Sequence, residues 1–137
     1  MSIRRVFVLA AIAALAFLST QVTHAQAPAV KRTVLLQHET SAPGYEAVLV
    51  AVEIPAGGRE GRHTHPGTAM IHVLEGAITL DYEGKPTTTY KAGQSFFVDA
   101  GKVHEGINKE TVTTKAIATF IIPKGQPVTT QVAAATK

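Results

Sequence analysis

Two histidines one residue apart, His63 and His65, sit between Gly57-Gly58 and an apolar run in the stretch GGREGRHTHPGTAMIHVLEG, Gly57–Gly76. In an extended chain the side chains at i and i+2 point to the same face, so both imidazoles can converge on one point. A third histidine, His104, follows the turn-rich DAGK in a second stretch, GQSFFVDAGKVHEGIN, Gly93–Asn108. Three neutral imidazoles with one or more positions left open suit Zn, Fe, Cu or Ni better than Mg or Ca, which prefer oxygen. Mn completes the set of candidate divalent transition metals. Taken alone, His63 and His65 also read as polar loop residues beside Pro66 and Gly67. The second stretch tips the balance toward a metal site.

The elements that must hold these residues read as short strands. Thr33–His38 is the first, and SAPG at Ser41–Gly44 is a turn signal. Tyr45–Ile54 is apolar on both parities, the pattern of a strand packed on two sides, and it is closed by Pro55, Gly57 and Gly58. Ala69–Leu74 follows, and Ala77–Tyr82 alternates, with Ile78, Leu80 and Tyr82 on one face. Glu83-Gly84-Lys85 turns the chain into Thr87–Tyr90. Ser95–Val98 and Lys115–Ile122 complete a set with no convincing amphipathic helix and no internal repeat. Short strands separated by turn signals every ~8–12 residues predict an all-β sandwich or small barrel.

At 137 residues the chain holds a single domain. Arg4 and Arg5, the apolar run Val6–Leu18 and the small residues Thr23 and Ala25 have the order of a secretory signal peptide, residues 1–25. The run is shorter than the ~20 apolar residues of a membrane-spanning helix. The expected mature protein is therefore periplasmic or secreted and makes no membrane contact after cleavage. Residues 26–32 read as a mobile lead-in, 33–127 as the β-domain and 128–137 as a tail or edge strand. With Arg4 and Arg5 removed, the 13 Lys and Arg fall to 11 against 10 Asp and Glu. That near-balance, with no basic cluster, argues against a nucleic-acid partner. The absence of cysteine excludes a disulfide framework and a thiol nucleophile.

The chain resembles the cupins, small double-stranded β-helix barrels of jelly-roll type, over about residues 30–127. The first cupin motif, G-x5-H-x-H-x3–4-E-x6-G, is matched by Gly57, His63, His65 and Gly76. The second, G-x5-P-x-G-x2-H-x3-N, is matched by Gly93, Gly101, His104 and Asn108, with Asp99 in the proline's place. The motif glutamate is missing, because its place falls on Ala69, or on Met70 with the longer spacer. The resemblance implies that His63, His65 and His104 hold a divalent transition metal and that Asn108 supports the second-motif hairpin. It places Ala69 facing the metal with water filling the gap.

The fold hosts many functions, so the resemblance leaves several open. One is a three-histidine enzyme, dioxygenase- or isomerase-like, acting on a small organic molecule. Another is a non-catalytic module that binds a small ligand, and a third is a structural homodimer with a vestigial pocket. Cupins commonly pair through sheet edges, so a homodimer is expected. Strand alternation points His72 outward unless a bulge turns it in. Arg59 and Arg62 could draw an anionic substrate to the pocket mouth, and Glu60 or Glu105 could serve as acid or base. Ile78, Leu80, Phe96, Phe97, Val98 and Phe120 read as core or pocket wall.

Overall fold

The structure, a computed structural model, describes residues 28–133. The expected signal peptide, the first residues of the lead-in and the last four residues of the tail lie outside the described residues. Ten strands follow one another: β1 (Lys31–Glu39), β2 (Tyr45–Ile54), β3 (His63–Thr64), β4 (Thr68–Glu75) and β5 (Ala77–Tyr82), then β6 (Thr88–Lys91), β7 (Ser95–Val98), β8 (His104–Ile107), β9 (Thr114–Pro123) and β10 (Thr130–Gln131). They form two five-stranded antiparallel sheets, ordered β1-β2-β9-β4-β7 and β10-β3-β8-β5-β6. This is the expected all-β jelly-roll barrel, and among the described residues there is no helix.

Alternation builds the core. Val48, Val50, Val52 and Ile54 share one face of β2, opposite Phe120, Ala118, Ala116 and Thr114 of β9. Ala69 and Val73 of β4 and Ile78, Leu80 and Tyr82 of β5 close the same cluster. A slip of one residue in β2 would turn all four of these apolar side chains outward, so burial itself holds the register. The opposite face of β2 is half-buried rather than packed under a second layer. Its apolar residues, Ala47, Leu49 and Ala51, are covered only by neighbouring side chains from β1 and β9, which mimics a two-sided strand in the sequence.

Other differences have similar local causes. β1 starts at Lys31, so Arg32 belongs to a strand, and Val30 packs against the core. β10, in the predicted tail, pairs with β3 through Thr130 opposite Thr64 and Gln131 opposite His63. Phe97 is exposed: on β7 it pairs with outward-facing Met70, so it belongs to neither the core nor the cavity that the histidines line, and instead borders a separate surface hollow beside Tyr82 and Lys85. Gly76 turns β4 into β5 at φ +74°, where a Cβ would also strike Thr114. Only glycine meets both demands.

Candidate metal centre

β3 and β8 pair in register so that His63 lies directly opposite His104. His65 follows two residues after His63 and so returns to the same face. The three side chains are only 2, 4 and 3 % exposed for His63, His65 and His104. Their ring centroids are 4.2–4.9 Å apart, and one nitrogen from each lies within 4.8 Å of the others. The spacing in sequence therefore becomes convergence in space.

Each ring is oriented by a backbone carbonyl. His63 Nδ1 donates to Gly61 O at 2.7 Å, His65 Nδ1 to Val128 O at 2.7 Å and His104 Nδ1 to Lys102 O at 2.9 Å. A carbonyl can only accept, so these contacts place the proton on Nδ1 and leave the Nε2 lone pair free. No fully buried side-chain nitrogen or oxygen among the described residues lacks a partner. The Nε2 atoms, which hydrogen-bond to no described residue, therefore open onto a space. Phe120 stands edge-on to His65, with centroids 4.8 Å apart, and limits the motion of that ring.

Burial pushes the His65 imidazole down to about 4, partly offset by its bond to Val128, with the neighbouring His104 and His63 adding smaller downward pushes. Burial likewise lowers His104 to about 4. Both rings are thus neutral at pH 7, the form that ligates a metal. Fixed tautomers, neutral rings and converging lone pairs fit a transition metal held by three nitrogens. The backbone carbonyls do the orienting that a carboxylate often does for metal-bound histidine.

The centre lies in a cavity of about 190 Å³. Its walls are largely aliphatic and aromatic, including Val50, Val52, Ile71, Ile78, Leu80 and Phe96. Ala69 faces the interior as the alternation requires, but it is 0 % exposed and does not line the cavity, whereas Ile71 does. The expected water-filled gap beside Ala69 is therefore absent. Phe120, its cross-strand partner, lines the cavity there instead. His72 points outward and meets Ser95 Oγ at 2.8 Å, so it stays apart from the three histidines.

The charged candidates sort differently from expectation. Arg59 grips Glu105 with Nε at 3.0 Å and Nη2 at 2.5 Å, and Gly61 N–H adds a bond at 3.2 Å. That bonding holds the Glu105 carboxyl below its usual range. Glu105 neighbours His104 on β8 and so takes the opposite face, away from the cavity. Arg62 pairs with Asp81 at 3.3 Å and does not line the cavity either. Arg32 and Glu60 do line it. Arg32 escaped the sequence reading because the basic pair Lys31-Arg32 ahead of an apolar run resembles a lead-in.

The second-motif positions have distinct jobs. Asn108 is fully buried, and its Nδ2 donates to the carbonyls of Ile54, Pro55 and Val112 at 2.8–3.0 Å. Its Oδ1 accepts from Glu110 N–H at 2.9 Å. Asp99, in the proline's place, accepts from Tyr82 O–H at 2.8 Å, and its own N–H donates back to that hydroxyl at 3.3 Å. Proline has no N–H and could not make the return bond.

A two-sheet β-barrel with three imidazoles converging inside it defines the class of small barrel with a candidate metal pocket. The sequence matches the cupin domain over residues 50–127, more than half of the chain, and the protein belongs to the cupin family. Solved structures share the fold at low identity. A cupin-like protein of Thermotoga maritima matches with a TM-score of 0.63 and 19 % identity, covering 79 % of this chain and 79 % of that one. A Klebsiella pneumoniae protein with a double-stranded β-helix domain gives 0.59 and 21 %, covering 70 % and 78 %. The DMSP lyase DddQ of Ruegeria pomeroyi gives 0.59 and 19 %, covering 66 % of this chain and 45 % of that one. No curated protein matches the chain in sequence.

Proposed function

We propose that this protein is an exported cupin in which His63, His65 and His104 bind one divalent transition metal and act on a small organic molecule held in the cavity. The observation that carries it is the convergence of three buried, backbone-oriented imidazoles on a largely apolar space of about 190 Å³. When bound, such a metal supplies a Lewis acid with open positions, suited to dioxygenase- or isomerase-like chemistry. The chain's own residues fix the three nitrogens, keep those of His65 and His104 unprotonated at neutral pH and shield the centre with an apolar wall. That one similar structure is a lyase agrees with catalysis on this fold but does not transfer its reaction. Export is supported by the leader pattern at residues 1–25.

Non-catalytic capture of a small ligand is the second reading, favoured by the predominance of aliphatic wall over polar groups. A homodimer through β1 is part of the proposal. β1 is an edge strand with Val34, Leu35 and Leu36 all exposed, and such an edge invites pairing. The experiment is to strip the protein of metal, supply Fe, Zn, Mn, Ni and Cu singly, and measure bound metal per chain. Loaded protein is then tested for a labile water position that reacts with oxygen. One ion per chain with such a position supports the enzyme; one ion without it supports the binding module. No uptake of any of the five contradicts the metal-dependent enzyme and leaves capture of a small ligand in the cavity.

A further inference from the structure

We infer that Arg32 and Glu60 form a second recognition point in the cavity, at which Arg32 binds the carboxylate of a small ligand whose apolar body lies against the aliphatic wall. This deepens the function proposed above and rests on it for the use made of the ligand. Arg32 lies opposite Val52 on β1, on the inward face, and is the one lysine or arginine among the described residues lining the cavity. Its Nη2 donates to Glu60 Oε1 at 2.9 Å, the only hydrogen bond of its side chain to a described residue. A guanidinium has five N–H donors in a planar fork, so a second edge is available to a carboxylate.

Glu60 is built into this position. Its backbone N–H donates to Gly106 O at 3.0 Å, Arg59 bridges Ile107, and Asn108 N–H reaches Gly58 O at 2.9 Å. Residues 58–60 are thereby laid along the end of β8. Gly106 follows His104 by two residues, so a side chain there would point to the same interior. A Cβ at Gly106 would collide with Glu60 Oε2. The glycine leaves room for the carboxylate, whose side chain is only 16 % exposed against 36 % for Arg32. An acid so placed beside an apolar cavity holds the guanidinium across it, and its own charge directs an incoming carboxylate to the far edge of the fork.

Charge balance favours the same ligand class. Arg32 and Glu60 cancel, and the three imidazoles supply no negative charge. A divalent ion among those imidazoles would leave its charge uncompensated within apolar walls, where burial of an unpaired charge is costly. An anionic ligand removes that cost and a neutral one does not. Arg59 and Arg62, which the sequence offered for this role, are taken up by Glu105 and Asp81 outside the cavity.

The test measures binding of hexanoate against hexanamide, and benzoate against benzamide, by calorimetry on metal-free and zinc-treated protein. Each acid is expected to bind at least about tenfold more tightly than its amide, in the metal-free protein as well. Arg32→Gln is expected to erase that preference, and Glu60→Gln, which keeps the guanidinium, to retain it. Equal binding of acid and amide by the wild type would overturn the inference without need of any variant. So would a preference that survives in folded Arg32→Gln. Protein that takes up no zinc yet prefers the acids would overturn the metal reading and leave this one standing.

Discussion

Asn108 and the three histidines are equally buried, and Asn108 lies four residues after His104, yet their polar atoms are satisfied in opposite ways. Every hydrogen-bonding atom of the Asn108 side chain is engaged by the chain: three carbonyls take its Nδ2 and one N–H reaches its Oδ1. The histidines are satisfied on one side only, with each Nδ1 tied to a carbonyl and each Nε2 left for something else. A buried polar group with all its partners internal stabilises structure. Buried groups that converge with their free lone pairs on one space form a site. Burial alone does not tell the two apart; the count of partners does.

The comparison breaks most sharply at Asn108. Asn108→Ala removes this partner from the Ile54 and Val112 carbonyls and the Glu110 N–H, while Pro55 O keeps its bond from Gly58 N–H, and should cost about 3 kcal/mol of stability. Urea unfolding measures this, while metal uptake by the folded fraction should stay at the wild-type stoichiometry. A loss below about 1 kcal/mol would mean that water replaces the side chain without difficulty.

Acid probes the other half of the comparison. In the folded, metal-free protein burial holds His65 and His104 down to about 4, against an ordinary value of 6.5. The unfolded chain takes up protons near 6.5 and the folded chain only near 4, so between these values the unfolded state holds more. Stability of the metal-free protein should thus be flat above pH 6.5 and fall steadily as pH is lowered toward 4. Urea midpoints from pH 7.5 down to 4.5 follow it. A constant midpoint over that range would show that the two rings are not held neutral by burial.

Ala69→Glu is the smallest and most directed change. It returns an oxygen ligand to the barrel interior, and oxygen suits Mn better than Zn, so Mn should bind more tightly by roughly tenfold, about 1.4 kcal/mol. Because Ala69 is sealed beside Phe120, the new side chain must displace that ring to reach the centre, which caps the gain. Unchanged Mn affinity in a folded variant would show that the interior does not yield at this position.

Much of the fold was legible because most strands carry their period openly. Ile78, Leu80 and Tyr82 alternate without interruption, and Tyr45–Ile54 ends at proline and glycine. The two-residue strands β3 and β10 are too short to show any period; their pairing depends on partners far away in sequence. The histidines were legible because i, i+2 spacing is a local property of extended chain. The placing of Glu60 was not, since it depends on Arg32, 28 residues earlier, and on the space left by Gly106. Glu105 looked as eligible as Glu60 in sequence, but its parity relative to His104 turns it away from the cavity. Phe97 misled for the same reason: only the pairing with outward-facing Met70 tells which face of β7 it occupies.

The central claim is that His63, His65 and His104 together hold one metal ion in a barrel that does not need it to fold. Calorimetric titration of the metal-free wild type and of His63→Ala, His65→Ala and His104→Ala with zinc, each checked by urea unfolding, tests both parts at once. One ion should bind per wild-type chain, each variant should lose about a hundredfold or more in affinity, and all four proteins should unfold cooperatively as β-proteins. The account would be contradicted by a single-histidine variant that binds zinc as the wild type does, or by variants that lose the fold along with the ligand.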